Sequence, residues 1–185
     1  MDLQDLRNKI DALDVELVTL LNERTKAAKE IGRRKASASS EVFVPSREQE
    51  VLKRVVELNE GPLDAAHVRA IYREIMSASI SLEGDVKIAF LGPISTYSHQ
   101  AALSRFGNSV GYLPCETFSD VVLAVETGRA QYGVLPVENS IEGAVTQVQD
   151  LLTNTDLKIC AEQYLQISHC LIGQVRPDEL TRIYS

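Results

Sequence analysis

Apolar residues recur at alternating steps of three and four from the start of the chain. Leu3, Leu6, Ile10, Leu13, Leu17 and Leu20 form one seam, and the next position on it is Arg24. This is the period of an amphipathic helix. No Pro interrupts the seam and no Gly appears before Gly32, which predicts a single helix from residue 2 to about 36, longer than a usual globular helix. A loop over 38–45 follows. "SREQ" at 46–49 has the form of a capping box and predicts a second helix reaching Asn59, where "EGP" stops it. Asp64 predicts the cap of a third helix running through Glu83, closed by a left-handed Gly84.

At residue 86 the pattern changes to short apolar runs separated by turn residues and helical stretches. Strands are expected at 86–92, 110–114, 131–137, 157–173 and 181–185, with helices near 97–106, 117–127 and 143–153. Alternation of this kind implies a largely parallel sheet covered by helices. The chain thus divides into an all-helical unit over 1–85 and an α/β unit over 86–185, joined by the short linker "EGD" at 83–85.

Composition adds exclusions. The 185 residues are 44% hydrophobic and 24% charged, as in ordinary globular proteins, and no apolar run is long enough for a signal peptide or a membrane span. A cytoplasmic protein is expected. The net charge of −7 argues against nucleic-acid or anionic-membrane partners through bulk electrostatics. Cations are nonetheless concentrated early, with 13 of the 19 Lys and Arg in residues 1–85. Cys115, Cys160 and Cys170 are far apart and form no C-x-x-C pair, so small buried thiols are expected rather than a disulfide or metal site. His67, His99 and His169 lack metal-ligand spacing, and no metal or cofactor is expected.

Arg24 on the apolar seam therefore needs a reason. Arg24 and Lys35, eleven positions apart, point within about 20° of each other with Cα atoms roughly 16 Å apart. Arg7 lies about 100° round the same helix. It cannot easily converge on the same ligand from the same chain; if it contributes, a second copy of the helix must supply it. One plain account is that Arg24 snorkels from the stripe or pairs with Glu23 or Glu30. The later helices weigh against it: Arg47 and Glu48 open the second, while Ser79 and Glu83 share one face of the third. Together they supply cations for carboxylates, an acid for a hydroxyl and a polar pair for a neutral oxygen.

The stretch "LRNKIDALDVELVTLLNERTKAAKEIGRRK", with the later helices to about residue 83, resembles the all-helical chorismate mutase at the N-terminus of bifunctional P-proteins. The resemblance implies an intertwined homodimer of three-helix chains in which Arg7 comes from the partner. It implies that Arg24, Lys35 and Arg47 hold the substrate carboxylates and ether oxygen, that Glu48 meets the substrate hydroxyl, that Ser79 makes a polar contact, and that Val44 contributes mainly backbone. Chorismate rearranges to prephenate by a concerted pericyclic shift. Such a reaction calls for fixing a compact conformer and stabilising charge on the breaking ether bond, with no nucleophile and no cofactor.

In the second half, "FLGPISTYSHQAA" (90–102) and "GVLPVENSIEGAV" (133–145) each follow an expected strand with a hydroxyl- or amide-rich loop. Either is read as ordinary helix capping or as part of a small-anion cleft. Both phrases resemble prephenate dehydratase, the usual second domain of P-proteins, and imply a partial α/β fold of the periplasmic-binding-protein-like kind. Asn139 and Ser140, with Thr96, Ser98 and Ser185, are the implied prephenate contacts, and His99 is expected to be structural. Ser95 stands where the family has Gly. The family's catalytic threonine belongs to a segment beyond Ser185, so prephenate rather than phenylpyruvate is the expected product of this chain.

Three readings compete: a mutase, a module that binds a small carboxylate without turning it over, and a dimerising coiled coil. The mutase reading carries its own pH signature through Glu83, which donates a hydrogen bond to an ether oxygen only when protonated. Chorismate turnover should therefore fall as pH rises, and a kcat/KM unchanged from mildly acid to mildly alkaline pH would remove Glu83 from that role.

Overall fold

The computed structural model describes residues 2–37, 45–168, 170–173, 176 and 181–182; the side chains of residues 35–37, 45, 46 and 83 lie outside the described set. Helix α1 (Leu3–Ser37) is the long helix the seam predicts. Helix α2 (Pro45–Glu57) starts one residue before Ser46, at a proline, whose fixed φ suits a first helical position. It ends before Asn59. Helix α3 (Ala65–Glu83) has the cap its sequence predicts, since the Asp64 carboxylate accepts the backbone N–H of His67 at 2.8 Å. That bond is the main reason the Asp64 carboxyl is held below its ordinary range. Gly84 departs from expectation: at φ 177° it is extended rather than left-handed, and the chain leaves α3 directly toward the next strand.

The α/β unit is built on a three-stranded parallel sheet of order β2-β1-β3, with β1 (Lys87–Leu91), β2 (Gly111–Cys115) and β3 (Tyr132–Val134). Helix α4 (Tyr97–Phe106) connects β1 to β2 and α5 (Phe118–Glu126) connects β2 to β3. Alternation along β1 sends side chains to two cores. Ile88 joins Val86, Ala102, Phe106 and Val110 beneath α4, and Ala89 joins Cys115, Val121, Ala124 and Ala130 beneath α5.

Four expectations in this half are corrected. The helix expected at 143–153 begins later, because β4 (Glu138–Asn139) and β5 (Gly143–Ala144) form a small antiparallel hairpin and α6 covers only Thr146–Thr153. Gly143, at φ 79°, supplies the left-handed turn that lets the chain reverse there. The strand expected at 157–173 is absent among its described residues: the apolar alternation is present, but no neighbouring edge pairs with it, and strand propensity is a preference for pairing. The same holds for residues 181–182, while 183–185 lie outside the described residues. Finally, only Cys115 is a buried thiol; Cys160 and Cys170 are exposed on that unpaired segment.

The two halves meet along α3. Ile80 packs on the core beneath α4, the Ser77 hydroxyl accepts the backbone N–H of Ser109 at 3.0 Å, and the Glu74 carboxylate accepts from the Asn108 backbone and side-chain amides at 3.0 and 2.9 Å. Gly107 makes this approach possible. It lies at φ 74°, its carbonyl accepts from the Tyr112 hydroxyl, and a Cβ placed there would stand 2.6 Å from the Ser77 Cβ. Burial pushes the Tyr112 phenol well above its ordinary range, with the Glu74 carboxylate adding to the shift. Gly107→Ala should therefore destabilise the fold by about 3 kcal/mol, from left-handed strain plus a forced separation of α3 and the α4 turn. Urea unfolding followed by circular dichroism measures it; a midpoint equal to that of the unmodified protein would show that the junction yields without cost.

Candidate functional site

Two residues of the proposed mutase constellation come together across sequence. The Arg24 guanidinium on α1 donates to the Ser79 hydroxyl on α3 at 3.0 Å, and that hydroxyl in turn donates to the Ile75 carbonyl at 2.9 Å. Ser79 is buried and Arg24 partly so. Of the plain account of Arg24, the pairing with Glu30 is not what the fold uses. Glu30 is engaged by Arg33 and Arg34 on the exposed side of α1, and the partner of Arg24 is a neutral hydroxyl. A guanidinium has five N–H donors, so one bond to Ser79 leaves donors for an anion.

The opening of α2 is arranged differently. Arg47 is exposed and paired with Glu50 at 2.9 Å. Glu48 turns toward the α/β unit, its Oε2 standing 3.1 Å from Nη2 of Arg105 on α4. Burial raises the Glu48 carboxyl above its ordinary range, and the charges of Arg105 and Arg73 draw it partly back. Arg105 is the residue that reading the sequence misses. It lies 57 positions from Glu48, in the other half, within a pattern whose only local signal is an amphipathic helix.

Arg7 is exposed on α1, away from Arg24. The seam beside it is also uncovered, with Leu3 at 65% and Leu20 at 61% exposure, and Leu6, Ile10, Leu13 and Leu17 all exposed. The Lys35 and Glu83 side chains, and all of Val44 and Ser185, lie outside the described residues.

In the α/β unit both motif loops leave the carboxyl ends of neighbouring strands, β1 and β3, where the strand order reverses and ligands bind in open sheets of this kind. Thr96 is a helix cap. Its hydroxyl accepts from the His99 backbone at 3.3 Å and donates to the Leu91 carbonyl at 3.0 Å. Ser98 lies half-buried in the first turn of α4. His99 stacks on Phe90 with ring centroids 4.7 Å apart, and its Nδ1 accepts the Ser95 backbone N–H at 3.2 Å, a structural role as expected. Asn139 and Ser140 are exposed at the hairpin, where the Asn139 side-chain oxygen accepts from the Ile141 backbone at 2.9 Å. Ser95 adopts φ 74°, the left-handed conformation that a glycine would take without strain.

Residues 88–185 match the family model for prephenate dehydratase, and residues 6–84 match that for chorismate mutase type II. The chain is 44% identical over 189 residues to the bifunctional chorismate mutase/prephenate dehydratase of Aquifex aeolicus (strain VF5), covering 100% of this chain and 52% of that protein. It is 42% identical over 190 residues to the protein of that name from Pseudomonas aeruginosa, with coverage of 99% and 52%. With the one from Escherichia coli (strain K12) it shares 35% over 199 residues, covering 97% and 52%. The chain spans about half the length of the curated relatives it matches.

The strained Ser95 invites a direct test. A left-handed non-glycine residue costs about 1–2 kcal/mol, of which glycine's larger unfolded-state entropy returns about half. Ser95→Gly should raise stability by about 0.5–1 kcal/mol, read as a higher urea midpoint, and a lowered midpoint would mean that the serine side chain compensates its own backbone.

Proposed function

As a member of the prephenate dehydratase family carrying a type II chorismate mutase region ahead of it, this chain, we propose, converts chorismate to prephenate at the helical unit and holds prephenate at the α/β unit. The boundary we propose between them is 85/86. The observation that carries the mutase reading is the Arg24–Ser79 pair, a partly buried guanidinium on a helical bundle with donors to spare.

Arg24 and Lys35 hold the dianion and the breaking ether bond, with Glu83 as the protonated donor to the ether oxygen. Arg47 joins them by leaving Glu50, an exchange with little cost because an exposed ion pair contributes about 0–1 kcal/mol. Glu48 accepts the substrate hydroxyl, Ser79 keeps Arg24 aligned, and Val44 lends its backbone. Catalysis rests on fixing the reactive conformer and placing fixed charge where the transition state develops it.

A homodimer completes the site. The uncovered seam from Leu3 to Leu20 offers six aliphatic side chains, each gaining on the order of 1 kcal/mol from further burial, and a second copy laid on it carries its own Arg7 to the pocket. Thr96, Ser98, Asn139, Ser140 and Ser185 are the proposed prephenate contacts of the α/β unit. The setting is aromatic amino-acid biosynthesis in the cytoplasm. Among the described residues no helix is long and apolar enough to cross a membrane.

Arg24→Ala should lower chorismate turnover at least a hundredfold with the helical circular dichroism retained. Mixing Arg7→Ala with Arg24→Ala, each inactive alone, should recover part of the activity, because a mixed dimer holds one intact site. Full turnover in Arg24→Ala would favour the coiled-coil reading, and no recovery on mixing would place Arg7 outside the site.

A further inference from the structure

The Glu48–Arg105 contact joins the helical unit to the α/β unit through two charged groups that are almost fully covered, with side chains 10% and 14% exposed. Such burial is unusual for either residue without a partner. Exposed ion pairs are worth little, whereas removing one member of a buried pair leaves an uncompensated charge. The pair is also held in place from outside. Arg105 lies in the last turn of α4, two residues before Gly107, and the turn that follows is pinned to α3 through Glu74, Ser77, Asn108 and Ser109. Its guanidinium therefore reaches Glu48 from a surface fixed relative to α3.

We propose that Arg105 is a positioning residue for the mutase reaction: reaching across from the α/β unit, it holds one carboxylate oxygen of Glu48 so that the other meets the substrate hydroxyl in the ionised form. This rests on the mutase reading above and goes beyond it, because it makes chorismate binding in the helical unit depend on a side chain of the dehydratase unit. A carboxylate accepts through both oxygens, so the pair with Arg105 and a bond to substrate are compatible. The charged groups facing Glu48 are Arg105 from α4 and Arg73 from α3, while on its own helix the neighbouring Arg47 is taken by Glu50. Both facing groups are cations that favour ionised Glu48 against the effect of burial. Loss of Arg105 removes the first of them, so protonation of Glu48 moves to higher pH.

The test uses the full chain, with chorismate loss followed across pH in the unmodified protein and in Arg105→Ala, Arg105→Gln and Arg105→Lys. Arg105→Ala and Arg105→Gln should raise KM about tenfold with a smaller change in kcat, and should move the acid limb of kcat/KM to higher pH. Arg105→Lys, which keeps the charge, should hold the acid limb near its original position. A role confined to folding would lower the amount of active protein and leave KM and the acid limb alone, and that result overturns the proposal. Should Arg105→Ala fail to fold, the comparison of Gln with Lys decides in the same way, equal acid limbs overturning it. Absence of chorismate turnover in the unmodified protein would instead sink the mutase reading itself, whereas normal turnover with unaltered Arg105 variants sinks only the role given to Arg105.

Discussion

Helix α3 must satisfy two neighbours at once, and the remainder of the structure is arranged around that demand. Ser77 and Ser79 are two residues apart, about 160° around the helix, and both are buried. One accepts a backbone amide from the turn after α4, and the other accepts the guanidinium of Arg24 on α1. A buried hydroxyl without a partner costs about 1–3 kcal/mol, so each serine ties its side of α3 to one particular neighbour. The helix is thereby a wall common to both units, polar at its two points of attachment and apolar at Ile80 between them.

That arrangement has consequences for which interactions are structural and which remain available. Around Ser77 the Glu74 carboxylate and the Ser77 hydroxyl accept from Asn108 and Ser109, and Gly107 lets the backbones close. Around Ser79 the bonding is incomplete, because Arg24 retains donors that Ser79 does not occupy. Glu48 stands between these regimes: its charge is covered and met by Arg105, yet it keeps acceptor capacity. The α/β loops divide in the same way. Thr96 and His99 spend their polar atoms holding the first loop to Leu91 and Ser95, while Asn139 and Ser140 stay exposed beyond β3. The capping account thus holds for Thr96, whose hydroxyl is spent on its own loop.

The helical unit leaves much of its own apolar surface uncovered. Among the described residues the aliphatic core lies mainly beneath α4 and α5, and of the three N-terminal helices only α3 contributes Val68, Ser77 and Ser79 to the buried set. A helix of 35 residues with its leucine seam in water has no reason to be straight and continuous by propensity alone, since most helical stability in proteins comes from packing an apolar face.

Local periodicity and capping were legible in the residues themselves. The α1 seam, the Asp64 cap and the alternation from residue 86 specify their elements because 3.6- and 2-residue periods and side-chain caps act within a few positions. Arg24 was marked as unusual by its place on an apolar seam, and the sequence alone identified it as needing a partner. Which partner it has is a tertiary fact, since Ser79 lies 55 positions away and only the crossing of α1 and α3 brings them together. The hairpin at 138–144, the unpaired stretch after 157 and the extended Gly84 were equally out of reach, because pairing and chain direction depend on which edges lie nearby. Arg105 beside Glu48 was the least legible, for nothing in either local pattern signals a charge pair between two helices of different units. Side-chain periodicity is a short-range property and was read from the sequence; the coincidence of two charges in a covered space is set by packing, and the tertiary structure alone decided it.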